Sequence, residues 1–214
     1  TETFLKNDSA IIYEASFIHK NLNVRADIVT KQGNYLKLIE VKAKSSRSSQ
    51  SVTEDFLNVK SNKISSGWEA YLWDIAFQTY VAKSTHPNYE VGAFLLLVDK
   101  DANASIDGIH QKFKIIKDGA DQRLNIKVEE GIDYNALGNE LLVEKEVTEI
   151  VLKIIDGSFI HSNGLNFKDN LELLSNNYLE DKEIHAPIGK KCKDCEFKLK
   201  SDDEKDSNKY SGFK

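Results

Sequence analysis

Apolar and β-branched residues cluster in three short stretches near the start of the chain. Residues 11–20 (IIYEASFIHK) and 24–30 (VRADIVT) are rich in β-formers, and residues 35–43 (YLKLIEVKA) follow the turn signal Gln32-Gly33-Asn34. This pattern predicts a three-stranded antiparallel meander. Ser65 or Ser66 can cap a helix that runs through WEAYLWDIAFQTYVAK to about Lys83, where His86-Pro87-Asn88 stops it. The apolar run 91–98 (VGAFLLLV) has the length of a buried strand, so the predicted order is β-β-β-α-β.

The second half reads less clearly. Residues 109–116 and 124–128 predict a second pair of strands. Residues 140–155 carry apolar side chains at Val143, Val147, Ile150, Val151 and Ile154, which is helical spacing. A further helix is expected over 167–179, then a loop segment (HAPIGKKCKDCEFK) and a polar tail. Residues 45–63 are polar and Ser-rich, and loops of that length in compact domains are usually functional or disordered. The expected organisation is a core over 1–105, an α+β extension packed on it over 106–200, and a tail over 201–214.

Taken literally, the hairpin places chemistry. If Gly33-Asn34 is a two-residue turn, Gln32 pairs with Tyr35, and counting outward sets Asp27 opposite Glu40. Cβ atoms of such a pair lie ~4.5–5.5 Å apart, and like charges there destabilise a sheet. Lys42 projects from the same face as Glu40, two residues on. On strands otherwise built from Ile28, Val29, Leu38, Ile39 and Val41, this arrangement needs a reason, and a divalent cation supplies one. Mg²⁺ is usually held by one or two carboxylates, with waters and substrate phosphate completing its shell. Such an ion polarises a phosphate and lowers the pKa of a bound water, and Lys42 would offset the charge that develops on phosphorus. As one surface-facing amine, Lys42 is expected to add little to stability. An exposed salt-bridge ladder is the alternative reading of the triplet. On the predicted helix Asp74 and Gln78 stand at i and i+4 amid Trp68, Leu72, Ile75 and Phe77, which is odd for a face that is only core.

Asp27, twelve residues, Glu40-Val41-Lys42 and a helix bearing Gln78 together resemble the RecB-like exonuclease branch of the PD-(D/E)XK nuclease superfamily, over residues 13–98. The resemblance implies that Asp27 and Glu40 bind Mg²⁺ or Mn²⁺, that Lys42 is the catalytic lysine and that Gln78 packs beside the site. It implies an α/β core of restriction-endonuclease type that hydrolyses DNA, with RNA left open. It also offers Glu14 as an additional acid, whose other reading is an edge-strand surface Glu. Relatives often carry Tyr four residues after the Gln; here that position is Ala82, with Tyr80 as the substitute. Rival readings are a site-specific endonuclease or junction resolvase on the same core, and an inactive nuclease fold that binds nucleic acid or a partner protein.

Composition changes the picture in three places. The 214 residues carry 29 Lys+Arg against 34 Asp+Glu, a net charge of −5, which argues against binding nucleic acid by bulk electrostatics. Basic side chains are concentrated locally, at Lys42, Lys44, Arg47, Lys60 and Lys63. Lys44 and Arg47 are therefore expected to touch a phosphate backbone. The two cysteines, Cys192 and Cys195, are too few for a secreted disulfide scaffold. The resemblance implies that they belong to a four-iron–four-sulfur cluster completed by cysteines outside this chain, with zinc or free thiols as alternatives; His185 is read from the residues as a candidate further ligand, or else a surface-loop His. No Met occurs, even at position 1, which suggests a piece of a longer protein. Without a membrane-length apolar run or a secretory leader, a cytoplasmic location is expected.

Overall fold

A computed structural model describes residues 1–184 apart from 59, 62 and 119–122. Cys192, Cys195 and His185 lie outside the described residues. A one-turn helix α1 (Glu2–Leu5) precedes β1 (Ser9–His19), β2 (Leu22–Gln32) and β3 (Tyr35–Ser46), the antiparallel meander that was expected. Gly33, at φ +57, takes the left-handed conformation that the turn requires, and Gln32 pairs with Tyr35.

Both β1 and β2 change phase halfway along. Buried positions run Ile12, then Ala15 and Phe17, in β1, and Val24 and Ala26, then Val29, in β2. Glu14, at φ +53, sits at the change in β1, and its register neighbour in β2 is Asp27. The β2–β3 ladder stops at Ile28–Ile39, one pair short of Asp27 and Glu40, and the Asp27 carboxylate instead accepts the Val41 N–H at 2.8 Å. The turn count was right, and the ladder ends where the burial pattern of β2 changes phase.

Residues 45–63, expected as a polar loop, are largely folded. Ser51 and Glu54 form a reciprocal capping box on α2 (Val52–Phe56), which buries Phe56 completely. A two-residue hairpin, β4 (Leu57–Asn58) and β5 (Lys63–Ile64), leads to α3 (Glu69–Thr85). That helix starts after Trp68 rather than at a serine cap. β6 (Glu90–Asp99) then lies parallel to β3, which makes β3–α3–β6 a crossover unit. Leu72, Ile75, Ala76, Val81 and Ala82 of α3 are buried in two apolar clusters, with Ala93, Leu95 and Leu97 of β6 in one and Val29, Leu36 and Leu38 in the other. Each Å² of apolar surface that this contact removes from water stabilises the fold by ~25 cal/mol.

The next pair of strands begins later than expected, because residues 109–112 form a 3₁₀ turn before β7 (Phe113–Asp118) and β8 (Arg123–Val128). Residues 140–155 are not one helix. β9 (Leu142–Glu146) pairs antiparallel with β6, and only Thr148–Ile155 is helical, as α4. Val143 and Val147 satisfy helical spacing by coincidence, while Leu142–Glu146 pairs as a short strand. The sheet order is therefore β1-β2-β3-β6-β9, a mixed five-stranded α/β sheet. Residues expected in an extension complete the core sheet. Chain contacts group Thr1–Glu172 as one unit and Leu173–Lys214 as another. Of the second, the described part is the end of α5 (Phe167–Leu179) and the few residues after it. No described helix is long and apolar enough to cross a membrane.

β9 brings an unexpected charge inside. Lys145 pairs with Asp55 at 3.0 Å, both side chains 6% exposed, and donates to the carbonyls of Arg47 and Gln50 at 2.6 Å each. Ser46 Oγ donates to the same Asp55 carboxylate at 2.6 Å. Removing one partner of such a pair strands a buried charge, at a cost of about 3–5 kcal/mol. Lys145→Ala should therefore lower unfolding free energy by that amount, and Lys145→Met with Asp55→Leu should recover most of it. Urea denaturation of the two variants checks this; a harmless single substitution would contradict the account.

Candidate active site

Three elements supply the site. Side chains at positions 40, 42 and 44 of β3 project on one face, toward α3. Asp74 and Gln78 lie on successive turns of α3 and meet that face. Asp27 comes from the phase change in β2, where its side chain is half-buried.

Glu40 is the centre. Its side chain is only 8% exposed, one oxygen accepting from Lys42 Nζ at 2.6 Å and the other from Gln78 Nε2 at 2.9 Å. Lys42 Nζ also reaches Asp74 at 2.8 Å, and Gln78 Nε2 lies 3.4 Å from the other Asp74 oxygen. One amine and one amide thus bind a strand carboxylate to a helix carboxylate. Gln78 Oε1 is buried with no hydrogen-bond partner among the described residues. A buried unpartnered acceptor is uncommon and costs about 1–3 kcal/mol.

The electrostatics follow from burial and neighbours. Burial raises the Glu40 carboxyl above its ordinary range and the Asp27 charge adds to this, while the bonds from Lys42 and Gln78 oppose it. Burial pulls the Lys42 ammonium down, but Asp74 and Glu40 together outweigh it and hold it above its ordinary value. Lys42 therefore keeps its proton through the neutral range. Its side chain is only 20% exposed, so it is not the surface amine that was expected. Its loss would leave Glu40 without a cation, at about 1–3 kcal/mol.

Lys44 continues the face. Its ammonium lies 3.9 Å above the Trp68 ring and 5.0 Å from that of Tyr71, and it donates to the Gly67 carbonyl. Burial lowers its pKa. Lys42 lies 5.5 Å from the same Tyr71 ring. Asp27, Glu40, Lys42, Gln78 and Lys44 are thus drawn into one neighbourhood, and three other candidates are directed elsewhere. The Glu14 backbone lies opposite Asp27, but its carboxylate is paired with Arg25 at 2.6 Å in an exposed position. Arg47 pairs with Asp101 at 2.7 Å. Tyr80 packs edge-on against Phe167, centroids 5.5 Å apart, because two residues beyond Gln78 a helix presents a different face. Asp74 as the second partner of Lys42 was not foreseen, although its i, i+4 relation to Gln78 is visible in the sequence.

Among the described residues no three His, Cys, Asp or Glu side chains converge as a ready metal cage. Two carboxylates with water and phosphate are the ordinary donor set for Mg²⁺, however. Asp27 and Glu40 are close enough for one charge to raise the pKa of the other, which is the repulsion that a cation relieves. No family model matches the chain, and searches of curated proteins and of solved structures gave no match.

The raised Glu40 carboxyl has a consequence for stability. The folded chain holds that proton more tightly than the unfolded one, so Glu40 favours the fold below the ordinary carboxylate range. The contribution is lost as pH rises through its folded pKa. The unfolding free energy of Glu40→Gln relative to the wild type should therefore climb over that window and then level off. Denaturant titrations across pH measure the difference, which a pH-independent offset would contradict.

Proposed function

We propose that this chain is a metal-dependent phosphodiesterase that cuts nucleic acid, with DNA as substrate and exonuclease-like action, built as a PD-(D/E)XK nuclease. The observation that carries the reading is Lys42 Nζ held between buried Glu40 and Asp74, with Asp27 just past the end of the β2–β3 ladder. A surface salt-bridge ladder would have no cause to bury Glu40 or to spend a helix carboxylate and a buried glutamine on orienting it.

Asp27 and Glu40 are the residues that would hold Mg²⁺ or Mn²⁺, whose chemistry is Lewis acidity toward a phosphate oxygen and a bound water acidic enough to ionise near neutral pH. The rest of the mechanism belongs to the chain itself. Lys42 is unsuited to be a general base, because Asp74 and Glu40 hold its proton on. It serves as a fixed positive charge that offsets the charge growing on the transferring phosphoryl group. Asp74 aims the amine from the helix side, and Gln78 donates to Glu40, presenting that carboxylate in one orientation. Lys44, two residues on, adds a second positive charge along the same strand face, where a phosphate backbone would be positioned without its sequence being read.

The experiment is cleavage of labelled single- and double-stranded DNA and RNA with and without Mn²⁺, by the wild type and by Lys42→Met. The Met side chain keeps an apolar stem beside Tyr71. Losing one preorganised charge of this kind costs about 10²–10³ in rate, so cleavage should fall by at least that factor in Lys42→Met. Wild-type rates in that variant would remove Lys42 from the mechanism.

A further inference from the structure

We propose that a cavity beside the N-terminal turns of α3 is a nucleotide subsite, which receives a base and phosphate of the strand whose neighbouring phosphodiester lies at Lys42. The inference rests on the phosphodiesterase reading above and gives that site its substrate class, a strand with unstacked bases. The cavity measures about 580 Å³, inside the roughly 300–1,000 Å³ range of small-molecule sites. Its walls come from the connection between β5 and α3, the exposed side of α3, and the loop that follows α4.

The chemistry of those walls suits a nucleotide. Half-buried Trp73 and His161 stand edge-to-face with centroids 4.8 Å apart, and Phe159 lines the same space. Aromatic side chains that are neither buried nor free are what unstacked bases pack against, at about 1–3 kcal/mol per base. Lys63 supplies a positive charge and Ser66 a hydroxyl. Glu69 accepts the Ser162 N–H at 3.0 Å, fastening the loop to the helix so that the cavity is held open by a defined contact.

Its position ties it to the catalytic cluster. β5 supplies Lys63 to the cavity, and the connection after it supplies Ser66 and continues into Gly67 and Trp68, on which Lys44 rests. The cavity wall at Ser66 is thus the sequence neighbour of Gly67, whose carbonyl Lys44 holds, and Trp73 precedes Asp74, which Lys42 holds. Duplex DNA keeps its bases stacked inside and could not fill such a cavity. A single-stranded end could.

Two measurements on the full chain test this. With EDTA present to prevent cleavage, dAMP and a short fluorescently labelled oligodeoxyadenylate are titrated in. The first is followed by tryptophan emission and the second by anisotropy. The wild type should bind both, and dAMP should quench Trp73, leaving in Trp73→Phe only the unquenched emission of Trp68. His161→Ala and Lys63→Ala should each weaken oligonucleotide binding about tenfold, about 1.4 kcal/mol. Their Mn²⁺-dependent hydrolysis of bis(p-nitrophenyl) phosphate, which has no base to seat, should be unchanged. Absence of dAMP quenching in the wild type, or unweakened oligonucleotide binding in both variants, overturns the subsite. If bis(p-nitrophenyl) phosphate is not hydrolysed while the variants still lose nucleotide binding, the subsite stands and the catalytic reading falls.

Discussion

One ammonium shared by two carboxylates governs this site. Glu40 is buried on the helix-facing side of β3, where an unpaired carboxylate would be costly, and Lys42 is the cation that makes the position tolerable. The same amine reaches Asp74 across the strand–helix gap, so α3 must present Asp74 and Gln78 to that strand. That requirement explains why a helix otherwise packed by Leu72, Ile75 and Ala76 carries Asp74 and Gln78 toward the sheet. It also explains the orphaned Gln78 oxygen. Its amide is spent on two carboxylates, which leaves the carbonyl end without a donor.

The phase change in β1 and β2 is the second half of the arrangement. Had β2 and β3 stayed paired past Ile28, Asp27 and Glu40 would have stood as a like-charged cross-strand pair. The phase change at Glu14 and Asp27 ends the ladder first. The Asp27 carboxylate then takes the Val41 amide that the ladder leaves free. Backbone pairing is exchanged for an acidic pair beside a lysine, with each carboxylate stabilised by a separate donor. Only the residual repulsion remains, and it shows in the raised Glu40 carboxyl.

Local rules made much of this legible. The Gln32–Tyr35 pairing followed from Gly33-Asn34, and the Glu40–Lys42 face from the strand period, because both depend on neighbours in sequence. What was missed depends on partners far along the chain. Lys145 looks like a surface lysine until β9 is known to lie against β6, above Asp55. Asp74 shows no preference for Lys42 until α3 crosses β3. Val143 and Val147 satisfied a helical spacing that the sheet edge overrode. The Ser51–Glu54 capping box was present in the sequence and was hidden by the polar composition around it. The net charge of −5 spoke against bulk attraction to nucleic acid, and the nuclease proposed here relies on local charge instead. Lys42 and Lys44 set two positive charges on one strand face, beside Asp27 and Glu40.

The central claim is that Asp27 and Glu40 together hold a divalent cation next to Lys42. Titration of Mn²⁺ into the metal-free protein, followed by water-proton relaxation, tests it without any substrate. The account predicts a site in the wild type whose ion retains exchangeable water, lost in Asp27→Asn and in Glu40→Gln while the fold is kept. Absence of a Mn²⁺ site, or one of equal affinity in both variants, would contradict it.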